Sequence, residues 1–440
     1  MPDPVLPATA RTLLARVART QRDGRAPSLV AGVVRDGGLA WSAGRGDVPE
    51  PHDDVQYRLG SISKTVTAVL VMRLRDEGRL ALDDPLDRHL PGTPFGERTV
   101  GQLLSHLAGA SAESPGGWWE RVPGGSLADL GLADDDVVLG AARRFHYSNL
   151  GFGLLGELVA RARGTSWDDA VRAEVLAPLG MSRTTPRPSG AAARGQAVHP
   201  WADVVLPEPE HHAGVMAAAG QLWSTLADLG RFAAFLLGDT ADVLDPATLE
   251  EMTEPAGVDS SAPGWSAYGL GLQVLRVDGR TLVGHGGSMP GFLAGVFVDR
   301  DEQIGAVSLA NATAGVEPVV FGLLADLRAA EPRVVEPWSP ASSPVPLEVL
   351  GVWFWGVTPV ALRAVPGGLL HLGPLPGRGG RASRFQQRDG RWVGLDGYYA
   401  GETLRIAADH LDLGTFIFTR TPYDPAAPVP GGVDEAGWTA

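Results

Sequence analysis

The chain has 440 residues, a formal charge of −14 and no cysteine. An acidic balance of this size argues against nucleic acid as a partner, because phosphate binding needs a basic surface, and the missing cysteine excludes disulfides, thiolate nucleophiles and cysteine-ligated zinc. Apolar residues make up 44% and charged residues 20% of the chain, an ordinary mix for a globular enzyme, and no apolar run is long enough for a membrane span.

A chain this long exceeds what one core usually serves, so two domains are expected. Residues 1–25 interleave apolar residues with Arg11, Arg16 and Arg19 and lack the apolar centre of a secretion signal, which reads as a cytoplasmic start. Leu13, Leu14 and Val17 have helical spacing. The β-branched run Ser28 to Val34 predicts a strand, turning at Arg35 to Gly38 into a second strand over Leu39 to Ala43.

Tyr57 to Val66 follows, and Val66, Val69, Leu70 and Leu74 extend a buried helix to a C-cap at Gly78. Helices are expected at Val100 to Leu107, Gly151 to Ala162 and Ser166 to Leu179. Strand signals return at Tyr268 to Val277, Arg280 to Gly284, Ala294 to Val298 and Gly305 to Ala310, before a helix at Val319 to Ala329. Strands at both ends and helices between them predict an α/β unit: one sheet completed by distant parts of the chain, with a helical region beside it.

Glu331 to Pro346 holds five prolines and three serines, marking 336–346 as a linker between a catalytic domain, 1–335, and a second domain, 347–425. Short runs at Val352 to Trp355, Leu369 to Leu372, Arg391 to Leu395, Thr403 to Ile406 and Thr415 to Thr419 predict a small antiparallel β-barrel there. Residues 426–440 read as a loose tail.

The chemistry centres on Ser61 and Lys64. Lys64 is the sole lysine of the chain, and an ammonium, unlike the guanidinium used everywhere else, can lose its proton when buried and act as a base. Three residues apart on a helix, the two side chains share a face, with the serine at the positive end of the helix. Tyr147 and Asn149 stand two residues apart at the mouth of a predicted helix. Gly284-His285-Gly286-Gly287-Ser288 follows a predicted strand, with Gly286 and Gly287 letting a substrate approach the backbone. His199, His211 and His212 match no zinc spacing, so no metal and no cofactor is expected. Trp118-Trp119 reads equally as cleft lining or loop packing.

In order, Ser61/Lys64, Tyr147/Asn149 and His285/Gly287 resemble the Ser-x-x-Lys, Tyr-x-Asn and Lys/His-x-Gly motifs of the serine β-lactamase and penicillin-binding-protein superfamily, over about residues 10–330. The resemblance implies Ser61 as the acylated nucleophile, Lys64 or Tyr147 as its base, the backbone N–H groups of Ser61 and Ser288 as the oxyanion hole, Asn149 as orienter of Lys64 and His285 in the third motif. With a C-terminal barrel it is similar to penicillin-binding-protein-type thioesterases, whose second domain is lipocalin-like. Those relatives take a peptidyl thioester from a carrier protein and release it by macrocyclisation, with Trp355 and Arg420 as candidate peptide contacts here. The alternative is a hydrolase acting on small esters, D-configured peptides or β-lactams. Either way the partner is a small-molecule or peptide acyl donor, not nucleic acid or membrane.

Overall fold

The computed structural model describes residues 4–432 apart from 263, 317, 336, 339, 341–345, 415, 428, 429 and 431. The predicted linker and tail therefore lie largely outside the described residues. The chain divides into two compact units, residues 1–334 and 335–440.

In the first unit, α1 (Pro7–Asp23) leads into β1 (Ser28–Arg35) and β2 (Gly38–Gly46). Asp36 and Gly37 both take positive φ, at 52° and 77°, the two-residue turn whose twist suits a hairpin. Apart from two small two-stranded pairings, the strands that complete the sheet of this unit come more than 200 residues later: β3 (Gly257–Val258), β4 (Ser266–Tyr268), β5 (Gln273–Val277), β6 (Arg280–Met289), β7 (Phe292–Asp299) and β8 (Ile304–Ala310). Among the described residues they form one antiparallel eight-stranded sheet, in the order β2-β1-β8-β7-β6-β5-β4-β3. β1 pairs with β8 from Leu29–Ala310 to Arg35–Ile304. The expected closure of the sheet by distant segments is thus observed.

Each face of the sheet is covered. α1 and the C-terminal helix Val319–Ala330 pack one side, where Leu13, Val17, Leu323 and Leu327 are buried with Leu29 and Val33. The opposite face meets the helical region, built around α2 (Ile62–Asp76) and α3 (Asn149–Arg163). α2 is buried almost all round, from Ile62 to Met72 and at Leu74, so it forms the centre of the first unit rather than a surface helix.

Several boundaries differ from expectation. The strand predicted over 268–277 is two strands, because Gly269 to Gly271 bend around α2: Gly271 takes a φ of +82°, and a Cβ there would lie 2.1 Å from that of Ala68. The strand predicted to stop at Gly284 runs on to Met289, and the turn falls at Pro290-Gly291. The helix predicted over 166–179 is α-helical only at Trp167–Val171 and continues as a π-helical stretch, Arg172–Leu176.

The second unit is an eight-stranded closed antiparallel barrel among the described residues, from Gly351–Trp355 to Phe416–Thr419. Its interior holds Trp353, Leu362, Leu370, Phe385 and Leu411. Thr358–Val365, Ser383–Arg388 and His410–Leu413 are strands beyond those expected. No helix among the described residues is long and apolar enough to cross a membrane.

Gly271 offers a direct test of how sheet and central helix fit. Gly271→Ala combines an unfavourable positive φ with a clash against α2 and is expected to destabilise the catalytic unit by about 2–4 kcal/mol, read as a lower denaturant midpoint at unchanged m-value.

Candidate active site

Ser61 occupies the N-cap position of α2 but makes no capping hydrogen bond, so its hydroxyl is not committed to the helix. One turn on, Lys64 donates from Nζ to Ser61 Oγ at 2.9 Å and to the Ala219 carbonyl at 2.7 Å. Its ammonium also lies 5.0 Å from the ring centre of Tyr147 and 5.9 Å from that of Phe152. Lys64 is fully buried, and desolvation brings its pKa from 10.5 down to about 7, against the opposing pull of the Glu113 and Glu120 carboxylates. Near neutral pH, much of the enzyme therefore carries a free amine lone pair directed at the Ser61 hydroxyl.

Tyr147 is driven the other way. Burial raises its phenol well above the usual tyrosine value, with only partial opposition from its hydrogen bond with Ser61. The phenol is therefore held in its protonated form, whereas the Lys64 amine has its pKa near neutrality. His106 stacks beneath Tyr147 at 4.3 Å between ring centres and beside Tyr268 at 4.4 Å. It adopts a positive φ of 58°, uncommon for a residue with a side chain, and its Nδ1 accepts from the Ser148 N–H at 3.1 Å. Burial holds its pKa well below the usual histidine value, so it is a neutral ring that fixes the Tyr147 segment.

Among the described residues no hydrogen bond joins Asn149 to Lys64. Asn149 Nδ2 donates to both carboxylate oxygens of Glu113, at 2.8 and 3.0 Å, while Lys64 is held by Ser61 and Ala219. Glu113 also accepts from Trp119 Nε1 at 2.6 Å. Sequence reasoning missed this carboxylate because it sits in a loop with no period or motif to mark it. Of the tryptophan pair, Trp119 is buried and packs on Gly220, beside the Ala219 carbonyl that holds Lys64. Trp118 is exposed and donates to Glu120 at 2.9 Å.

The third motif lies in β6, within the sheet. A Cβ on Gly287 would fall 1.8 Å from the Leu59 carbonyl oxygen and 3.3 Å from Ser61 N, and one on Gly60 would fall 2.5 Å from Ser288 N. Only glycine at both places permits this approach, which brings together the two segments carrying the expected oxyanion donors, Ser61 N and Ser288 N. His285 differs from the cationic group common in this motif. It is buried, its Nε2 lies 2.9 Å from the Tyr268 hydroxyl, its Nδ1 engages the Gly286 carbonyl, and burial takes its pKa down to about 3. A neutral, engaged histidine provides no positive anchor for a substrate carboxylate. Ser61, Tyr147, Gln273, His285, Gly287 and Ser288 border one cavity of about 470 Å³.

Other candidates have separate surroundings. Trp355 and Arg420 belong to the second unit: Trp355 stacks on Phe416 at 5.5 Å, and Arg420 donates to the carbonyls of Glu348, Leu350 and Val352 and lies over Trp353. Arg420 is thus occupied in tying the barrel's own backbone. His211 and His212 turn to different partners, the Trp119 carbonyl at 3.0 Å and Asp168 at 3.2 Å, and among the described residues no cluster of three metal-ligating side chains occurs.

A family model described as Beta-lactamase matches residues 13–331, and one described as Domain of unknown function (DUF7586) matches residues 342–420. Penicillin-binding protein 4 of Amycolatopsis lactamdurans is 28% identical over 363 residues, covering 74% of this chain and 88% of its own. Beta-lactamase-like protein 2 of Dictyostelium discoideum is 26% identical over 62% of this chain, which spans 53% of that longer protein. Among solved structures, a D-stereospecific amidohydrolase from Streptomyces sp. is 28% identical with a TM-score of 0.61, covering 74% of this chain and 99% of its own. SurE with D-Leu is 25% identical with a TM-score of 0.57, covering 94% and 100%.

With Lys64 titrating at about 7, the rate of Ser61 acylation should rise with pH through about 7 and level off above it, because only the neutral amine accepts the proton. Lys64→Arg, which keeps the charge and removes the base, should lower acylation by about 10²–10⁴-fold and abolish that pH step, measured by single-turnover kinetics. The family-model match across most of the first unit and the Ser61–Lys64–Tyr147 site within it agree: this chain belongs to the beta-lactamase family of serine enzymes, which form acyl-enzyme intermediates.

Proposed function

We propose that Ser61 accepts the acyl group of a D-configured residue from an amide, ester or thioester and passes it to an amine or to water. The observation that carries the chemistry is the Lys64 amine, buried and bonded to Ser61 Oγ at 2.9 Å. As Ser61 Oγ bonds to the donor carbonyl carbon, its proton moves to Lys64 and the carbonyl oxygen becomes an oxyanion at the Ser61 and Ser288 N–H groups. Collapse breaks the bond to the leaving group, which takes a proton through Tyr147, supplied in turn from Lys64. The acceptor then gives up its proton by the reverse route as it attacks the acyl-enzyme, and Ser61 is restored.

The D preference draws on two similar structures, the D-stereospecific amidohydrolase from Streptomyces sp. and SurE with D-Leu. The acceptor divides two readings. In the first, the donor is a peptidyl thioester on a carrier protein and the peptide's own amino group attacks, giving a macrocycle. Two features support it: the chain carries a second, barrel unit, as do the penicillin-binding-protein-type thioesterases it resembles, and Glu113 and Glu120 place negative charge beside Lys64, which draws an amino group to the site. In the second, water attacks and an acid is released. The Streptomyces amidohydrolase supports this reading, although the likeness covers 74% of the chain.

A synthetic peptidyl thioester offered in D and L forms at its C-terminal residue tests both parts. The D form should react at least about tenfold faster, and Ser61→Ala should eliminate both reactions. Product mass decides the acceptor, since a cyclic product is lighter than the acid by one water. Equal rates for the two forms would remove the D preference, and acid alone across varied peptides would remove the cyclase reading.

A further inference from the structure

The barrel contains a site of its own. Along its strands the inward face alternates, and Trp353, Leu362, Leu370 and Leu411 fill the middle of the interior. Two positions further along the same faces, Trp355, Val360 and Leu372 leave space unfilled, with Phe416, Phe418 and Tyr399 across from them. The result is a cavity of about 390 Å³ opening at one end of the barrel, within the usual range of roughly 300–1,000 Å³ for small-ligand pockets. Trp355 stands at its rim, 51% exposed.

The segment Leu375 to Ala382 borders this opening and brings Arg378 and Arg381 to the cavity, which no Asp or Glu lines. Arg381 lies over the Tyr398 ring at 3.7 Å, and neither arginine forms an ion pair among the described residues. This occurs in a stretch where acidic residues outnumber arginines, ten to eight from residue 336 onward. Arg420 of the same barrel shows the contrast, its guanidinium bonded to three backbone carbonyls.

An apolar, aromatic-walled hollow with two cations and no anion at its mouth complements one kind of ligand. We propose that the barrel binds a small amphipathic carboxylate, its apolar body against Val360, Leu372 and Phe418 and its carboxylate on Arg378 and Arg381. A fatty acid and the C-terminal residue of an apolar peptide share this chemistry, and both are tested.

Calorimetry on the full chain would compare dodecanoate with methyl dodecanoate, and N-acetyl-Leu-Phe with its C-terminal amide. At least one carboxylate should bind with a stoichiometry of one, about tenfold or more tighter than its uncharged counterpart, and the tighter of the two acids identifies the source. Arg378→Ala with Arg381→Ala should erase the preference for the charged form, and Val360→Trp, which fills the hollow, should abolish binding. The proposal is overturned if neither acid binds, if acid and uncharged form bind alike, or if folded Val360→Trp chain binds dodecanoate and the peptide undiminished. The acid comparison on the unaltered chain decides even where a variant does not fold.

Discussion

The burial of one ammonium group governs the rest of the catalytic unit. Moving a charged amine out of water costs several kcal/mol unless it is paired or gives up its proton, and among the described residues Lys64 has two hydrogen-bond acceptors, Ser61 Oγ and the Ala219 carbonyl. Its surroundings are otherwise aromatic and aliphatic: the rings of Tyr147 and Phe152 and the apolar sides of α2 and α3. The structure meets this cost by lowering the proton affinity of the amine. Glu113 and Glu120 limit the fall, so that the pKa stops at about 7 rather than lower. A base poised near neutrality is thus the resultant of dry burial and a carboxylate wall.

The same dryness assigns the other titratable groups. His106 and His285 lie in the same buried neighbourhood, and desolvation together with the nearby lysine keeps both neutral. Tyr147 and Tyr268 are held protonated by the same cause. Beside these neutral groups Lys64 has its pKa near neutrality, and the rings surround it as hydrogen-bonding partners and walls.

Much of this was legible in the sequence, for reasons that lie in particular residues. A sole lysine three residues after a serine at a helix start carries its own chemical signal, and the β1–β2 hairpin announces itself by Asp36-Gly37. The strand-forming runs at 294–298 and 305–310 lie within a residue or two of β7 and β8. Where the reading failed, a local signal was overruled by contacts distant in sequence. Gly286 and Gly287 look like turn residues, yet they continue β6, and at Gly287 the Leu59–Ser61 backbone presses against that strand and leaves no room for a Cβ atom. Gly269 to Gly271 break a strand because α2 lies against them. In the barrel, Ser383–Arg388 offers Phe385 as its lone large apolar residue, too little alternation to read as a strand until its neighbours pair with it. Glu113 was invisible for a plainer reason: a loop residue's role depends on where the loop ends up.

That loop changes what the site asks of a substrate. An asparagine with free amide N–H groups would offer donors to a carbonyl on the acyl group. Here both Asn149 contacts go to Glu113, and Glu113 is further fixed by Trp119, so the Asn149 amide nitrogen is already engaged. Glu113 and Glu120 are also the carboxylates that oppose the fall of the Lys64 pKa, so the loop that occupies Asn149 sets the electrostatics of the ammonium as well. His285, buried and held neutral beside Tyr268, adds no positive charge to this neighbourhood. The charge around Ser61 is therefore set in part by two side chains, Glu113 and His285, that make no hydrogen bond to Ser61 among the described residues.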